Sequence, residues 1–420
     1  MFSAFKISIS GLKANKTRTI LTTLGIMIGI AAIIIVMSAG EGIRGLILGQ
    51  IESFGTDIIE TEVKVPSIKK GESGMSADIQ GGASMSMGVT ITTLNLKDME
   101  DINNLDNVEM SYAGILGQEQ VSYRNELRKA FLLGVSSTYI DIDKTEIDYG
   151  RFYTTDEEKS LAQVVVLGSK IKEKLFGESD PIGKNIKIRK RNFKVIGVIK
   201  KRGAISIMNF DDYIHIPIRT AQKKVLGIDY VLYMIHKIKD LSISDETAEE
   251  IKYILRNNHN ITNPDKDDFR VVTMEEMLEM VEIVTDAITL LLLAIVAVSL
   301  LVGGVGIMNT MLVTVSERTK EIGLRKAVGA NNFNILKQFL IESIIITFIG
   351  ATIGIALGIV ISYLIALAAN FYFNIDWRFI ISWLSIVIAL VFAVILGLGF
   401  GLYPAKKAAK LHPIEAMRKE

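Results

Sequence analysis

Four long stretches of the chain are almost without charge, and one long stretch of mixed polarity separates the first from the second. The apolar runs lie at Thr19–Ala39, about 287–315, about 339–369 and about 380–403. Each reaches the ~20 residues that an α-helix needs to cross a ~30 Å hydrocarbon layer. A soluble helix of that length normally carries a polar face, and these carry none. Four membrane-spanning helices are therefore predicted. Ser38-Ala39-Gly40 also suits a signal-peptide cleavage site. The run before it is longer than a usual signal core, however, and helical residues continue past it, so the first span is read as retained.

Basic residues near the span ends set an orientation. Lys6, Lys13, Lys16 and Arg18 precede the first span, and Arg318, Lys320, Arg325, Lys326 and Lys337 lie between the second and third. Lys406, Lys407, Lys410, Arg418 and Lys419 follow the fourth, whereas the loop between the third and fourth has only Arg378. The positive-inside rule then assigns residues 1–18, 316–338 and 404–420 to the cytoplasm. Spans are placed at 19–40, 287–315, 339–369 and 380–403, with 41–286 and the short loop 370–379 outside. Trp377 and Trp383 suit an interfacial aromatic belt at the start of the fourth span.

Residues 41–286 read as an α+β extracytoplasmic domain. Strands are predicted at Gln163–Leu167, Asn185–Ile188, Phe193–Ile199 and Tyr213–Ile216, and helices at Lys97–Leu105, Ser169–Phe176 and Asp245–Asn257. The Gly/Ser/Met-rich run between Pro66 and Gly88 has no periodicity and is predicted to be a mobile loop. Thr273 followed by Glu276 is a capping box, and Met277, Met280, Val281, Val284 and Ile288 continue at helical spacing. Unbroken to Val315, that helix would hold about 43 residues and measure roughly 64 Å, about twice the hydrocarbon thickness. The first span extends likewise through Ile43, Leu46, Ile47 and Ile51, although Gly40, Gly42, Gly45 and Gly49 weaken a helix there. Long stalk helices from spans one and two are expected.

Composition narrows the chemistry. A mean hydropathy of +0.35 agrees with a chain partly in lipid, and 47 basic against 46 acidic residues leave no field to hold nucleic acid. With no cysteine, disulfides, thiolate metal sites and cysteine nucleophiles are excluded. His215, His236, His259 and His412 are too scattered to suggest a zinc site. Gly177–Gly183-Lys184-Asn185 imitates a phosphate-binding loop, but five residues separate the glycines and Asn185 stands where Ser or Thr is needed. No catalytic, cofactor-binding or metal-ligating set is predicted. The acidic pairs Glu157-Glu158 and Asp211-Asp212 read as solvated loops. The spans hold few charges, Glu342 in the third and Asp286 beside the second, which argues against an ion-coupled transporter.

Two features suggest contacts. Gly350, Gly354 and Gly358 form two overlapping GxxxG steps, and Gly25 and Gly29 a third, suiting either packing within the chain or a dimer seam. Residues 316–330, Ser-Glu-Arg-Thr-Lys-Glu-Ile-Gly-Leu-Arg-Lys-Ala-Val-Gly-Ala, read as a short amphipathic helix on the cytoplasmic membrane face. Glu321 and Arg325 sit at i, i+4, Leu324, Ala327 and Val328 share a side, and Gly329 ends it. It suits either a topological anchor or a docking element.

The chain resembles the MacB/FtsX-like permeases of ABC transporters over essentially its whole length. Glu317–Ala330 is similar to the coupling helix of that family, and Tyr403–Met417 to its C-terminal signature. Gly150-Arg-Phe152, Val164–Gly168, Leu175-Phe-Gly177 and Asp180–Lys184 resemble the pattern of its outer domain. The resemblance implies that Glu317, Arg318, Glu321, Gly323, Arg325 and Gly329 contact an ABC ATPase dimer. It further implies mechanotransmission: the ATPases, which bind ATP and magnesium, draw two permease copies together and the stalks carry the motion outward. No Walker motif is present, so the ATPase is expected on separate subunits. A homo- or heterodimeric second permease copy and an external adaptor are further implied partners. The expected function is an exporter of peptides, drugs or lipidated substrates. The alternative is an FtsX-like signal transmitter that activates a cell-wall hydrolase.

Overall fold

The computed structural model describes residues 16–64, 91–202, 204–205, 208–373, 377–413 and 416. The Gly/Ser/Met-rich run 66–88, Lys6, Lys13, Arg418, Lys419 and most of the end of the C-terminal signature lie outside the described residues. Longer helices are α1 (Lys16–Phe54), α2 (Leu96–Ile102), α3 (Ser169–Phe176), α4 (Ser244–Asn258), α5 (Met274–Glu317), α6 (Thr319–Ala327), α7 (Asn332–Phe373) and α8 (Trp383–Ala409). The chain forms two compact units, one of residues up to Leu46 with those from Val281 onward, the other Ile47–Met280.

Among the described residues, helices α1, α5, α7 and α8 are the four long and apolar enough to cross a membrane. The 44 residues of α5 give it a length of about 66 Å at ~1.5 Å per residue. Its capping box is formed, with the Glu276 N–H donating to Thr273 Oγ1 at 3.2 Å and the Thr273 N–H to Glu276 Oε2 at 3.3 Å.

Small residues set the packing of the membrane unit. A Cβ on Gly354 of α7 would lie 2.7 Å from the Met27 carbonyl oxygen, and one on Gly358 2.9 Å from that of Ala31. Gly25 faces Gly303 of α5 with backbones nearly touching. All the GxxxG steps named above are thus used inside one chain, α1 meeting α7 on one side and α5 on another. Where lipid tails remove the hydrophobic drive, such close approach is what gains dispersion energy. Helix α8 follows the same rule, with Gly397 against Thr347 and Ser343 Oγ donating to the Gly397 carbonyl at 2.8 Å. The glycines of α1 do not interrupt it. Gly42 makes room for the Trp377 ring, and Ser38 Oγ donates to the Ile380 carbonyl at 2.9 Å, so the α7–α8 connection lies along α1.

The outer unit is built on a ten-stranded sheet. Its strands are β1 (Ile58–Val63), β2 (Val108–Tyr123), β3 (Glu126–Val135), β4 (Ile147–Gly150), β5 (Val164–Leu167), β6 (Asn185–Ile188), β7 (Arg191–Ile199), β8 (Tyr213–Pro217), β9 (Tyr233–Ile238) and β10 (Phe269–Thr273). The order is β10-β1-β9-β2-β3-β8-β5-β7-β4, with β6 pairing both β7 and the end of β2. Strands β2, β3, β8, β5, β7 and β6 therefore close on themselves as a barrel. The sixteen-residue β2 serves both parts, pairing with β9 through its first half and with β3 and β6 through its second. Leu132, Ile186, Phe193, Val195 and Ile214 belong to the buried core, and α3 adds Ile171 and Leu175.

Buried polar groups tie these layers. The His236 ring bridges Thr61 Oγ1 at 3.1 Å and Ser111 Oγ at 2.7 Å, linking β1, β9 and β2, and burial lowers its pKa to about 3. His259, at the end of α4, lies between Asp268 (2.8 Å) and Asp98 (3.3 Å), and Asp98 also holds Asn258 and the N-cap of α2. The acidic pairs are not solvated loops. Glu157 accepts from both terminal nitrogens, Nη1 and Nη2, of Arg151, and buried Glu158 accepts the Ser137 N–H at 2.6 Å. Buried Asp211 accepts the Arg202 N–H at 3.0 Å, and Asp212 receives Lys170 and Lys174.

Candidate functional site

The connection between α5 and α7 holds the residues singled out above. Helix α5 stops at Glu317 because Arg318 leaves helical geometry (φ −98°, ψ 15°), and Thr319 Oγ1 then caps the last carbonyls by donating to Val315 and Ser316. Helix α6 follows at once. It ends where Gly329 takes φ +104°, a conformation that side chains resist, and Asn331 Oδ1 accepts the Asn334 N–H to start α7.

One side of α6 faces the protein. Ile322 is 1% exposed and Gly323 is buried beside it. Three cations turn inward with them. Arg318 Nη1 reaches the Glu342 carboxylate of α7 at 3.2 and 3.3 Å. Arg325 donates to Gln338 Oε1 of α7 at 2.8 Å and to Glu321 at 2.5 Å. Lys326 Nζ donates to the carbonyls of Ala409 and Leu411 at 2.5 and 2.8 Å, neutralising the C-terminal end of α8. The other side is open: Glu317, Lys320, Glu321 and Ala327 are exposed, with Leu324 60%, Val328 83% and Phe333 66% exposed.

The six predicted residues are therefore close in space but divided between two faces. Glu317, Glu321 and Gly329 lie on the open side, while Arg318, Gly323 and Arg325 face inward. Phe333, Gln338, Glu342 and the tether of Lys326 were missed as members of the site. An exposed Phe directly after the Asn helix start was a usable signal for Phe333. Glu342, the one charge in the third span, was another. None announced Gln338 or the tether of Lys326.

In the outer unit, the phosphate-loop imitation is a tight turn, with Gly177 and Gly183 at positive φ and Asp180 accepting the Ile182 N–H. A cavity of about 10 Å³, room for one water, lies among Tyr139, Thr145, Arg202 and His215. Burial and then Arg202 lower the His215 pKa to about 3, so its ring is neutral, and its Nδ1 has no protein partner. Among the described residues no cluster of His, Asp and Glu could hold a metal.

A large mixed sheet in one unit and four apolar helices in the other define a multi-pass membrane protein with a folded domain inserted after its first span. Residues 19–254 match the model of the MacB-like periplasmic core domain and residues 293–413 that of the FtsX-like permease C-terminal domain. The chain belongs to the MacB/FtsX-like permease family of ABC transporters. Among its relatives is the macrolide export ATP-binding/permease protein MacB of Bdellovibrio bacteriovorus, 36% identical over 411 residues, which span 97% of this chain and 60% of that one. The protein of the same name from Chlorobium luteolum is 38% identical over 408 residues, 97% of this chain and 58% of that one. The chain thus spans about three fifths of these relatives' length. The crystallised periplasmic region of MacB from Actinobacillus actinomycetemcomitans is similar at a TM-score of 0.45 and 21% identity, covering 56% of this chain and 97% of that one.

Proposed function

We propose that this chain is the permease part of an ATP-driven exporter that works by mechanotransmission. The observation that carries the proposal is α6: a short helix with an open, partly apolar face, held from behind by three cations bonded to α7 and α8. An ABC ATPase dimer carried outside these 420 residues docks on the open face, through Glu317, Glu321, Leu324 and Val328. Arg318, Gly323 and Arg325 act from behind that face, and Gly329 shapes its end. ATP and magnesium bind to the ATPase. Residues 316–338 and both termini lie in the cytoplasm, on the argument of flanking basic residues. Two copies of the permease work as a pair, and unbroken α1 and α5 carry displacement outward to a domain that binds cargo or an adaptor. The match to the MacB-like core model favours this branch over a hydrolase-activating regulator. Export of macrolides named for the relatives makes an amphipathic drug the first cargo class to test.

Affinity purification from native membranes tests the docking face. Wild-type chain should bring down an ABC ATPase, and Glu321→Lys combined with Leu324→Asp should lose it without loss of membrane-inserted chain. An ATPase retained equally by both would refute the site.

A further inference from the structure

The break after Glu317 poses a mechanical problem. Arg318 is non-helical, so α6 is not a continuation of α5, and force applied to α6 could be absorbed by swivelling there. Arg325 and Lys326 bypass that break, and Arg318 ties the break itself to α7. Arg318 and Arg325, seven residues apart, are about two turns apart along the loop, and their partners Glu342 and Gln338 are one turn apart on one face of α7. Two contacts in register fix an orientation as well as a position, which one contact cannot do.

Glu342 is the unusual member. It is the only acidic residue in α7 and is 3% exposed. A buried ion pair is seldom more stable than apolar packing of equal volume, because desolvating the charges offsets their attraction. What it gives is direction, since a misplaced guanidinium leaves the carboxylate uncompensated. Nothing on the open face of α6 needs Glu342, which lies behind it.

We propose that Glu342 is a positioning residue: through Arg318, and in register with the Gln338–Arg325 contact, it makes α6 and the cytoplasmic end of α7 move as one body. This rests on α6 being the ATPase-docking element. A push on α6 then reaches α7, and through Gly354 and Gly358 it reaches α1, whose backbone those glycines touch.

Hydrogen exchange by mass spectrometry tests this on the full chain with its co-purified ATPase in lipid nanodiscs, nucleotide-free and trapped with ATP, magnesium and vanadate. In the Glu342→Gln variant, residues 319–327 should exchange at least fivefold faster, and the nucleotide-dependent change in residues 350–358 seen in wild type should vanish while the ATPase still co-purifies. Gln338→Leu, which buries no unpaired charge, should give a smaller acceleration of about twofold and serves if Glu342→Gln fails to accumulate. Wild-type exchange at 319–327 in the variant that accumulates would overturn the clamp, as would a preserved nucleotide response at 350–358. If no ATPase accompanies the wild type, the docking reading fails on its own. The nucleotide-free comparison at 319–327 still decides whether Glu342 holds the helix.

Discussion

His259 offers the sharpest quantitative test of the outer unit. Its side chain is 4% exposed and lies between Asp98 and Asp268, themselves 1% and 13% exposed. Burial opposes charging the ring, but the hydrogen bonds and charges of Asp268 and Asp98 outweigh it and raise the pKa from 6.5 to about 9. Burial also opposes ionisation of both carboxyls, and the His259 bonds still hold them below their usual range. A full shift of that size corresponds to about 3 kcal/mol at ~1.36 kcal/mol per unit. Water reaching Asp268 screens part of this, so a contribution of about 1–2 kcal/mol is expected. The sign follows from linkage. A raised pKa gives stability that is complete below pH 6.5 and is lost as pH rises through about 9, while the lowered aspartates keep theirs until the pH falls into the acid range. Hydrogen exchange of residues 96–102 and 250–259, corrected for intrinsic rate, should therefore lose about 5–30-fold protection between pH 6.5 and 9.5 in wild type. His259→Gln should start lower and show no such step. An identical pH step in both proteins would refute the charged-histidine account.

Three further outcomes follow from the packing. Gly354→Leu should sharply reduce the yield of monodisperse protein on gel filtration, because even its Cβ meets the Met27 carbonyl, whereas Gly399→Ala, with open space at that point, should behave as wild type. Arg202→Ala leaves the buried Asp143 carboxylate without its 2.5 Å partner and should destabilise the outer unit by about 3–5 kcal/mol, read as a lower urea midpoint. Tyr153→Phe removes the hydroxyl that bonds the Val135 and Ile216 carbonyls, and should lower the same midpoint by about 1–3 kcal/mol.

How legible the molecule was depends on how local the cause is. The spans could be read from apolar runs, because a helix in lipid must satisfy its backbone within itself. The capping box at Thr273 and Glu276 is equally local. The β2–β3 hairpin, the longest pairing in the sheet, went unread. Its first strand passes from open sheet to barrel, so its burial does not alternate cleanly and no period-2 signal survives. Asp212 was misread because its partners are distant: Lys170 and Lys174 lie 42 and 38 residues from it. In the loop, the Glu321–Arg325 pair shows in the sequence, but its second partner Gln338 does not. Lys326 ends on backbone carbonyls 83 and 85 residues away, an acceptor type that no residue pattern encodes.

The place of β1 in the sheet bears on how the protein is made. Ile59 pairs with His236 on one side and Thr273 on the other, so both neighbours of this strand are synthesised long after it. At ~5–20 residues per second, the nascent strand waits roughly 10–40 s with its edges unpaired. Apolar strands left open for that time are templates for aggregation. Slowing elongation between residues 64 and 273 should therefore lower the yield of folded chain.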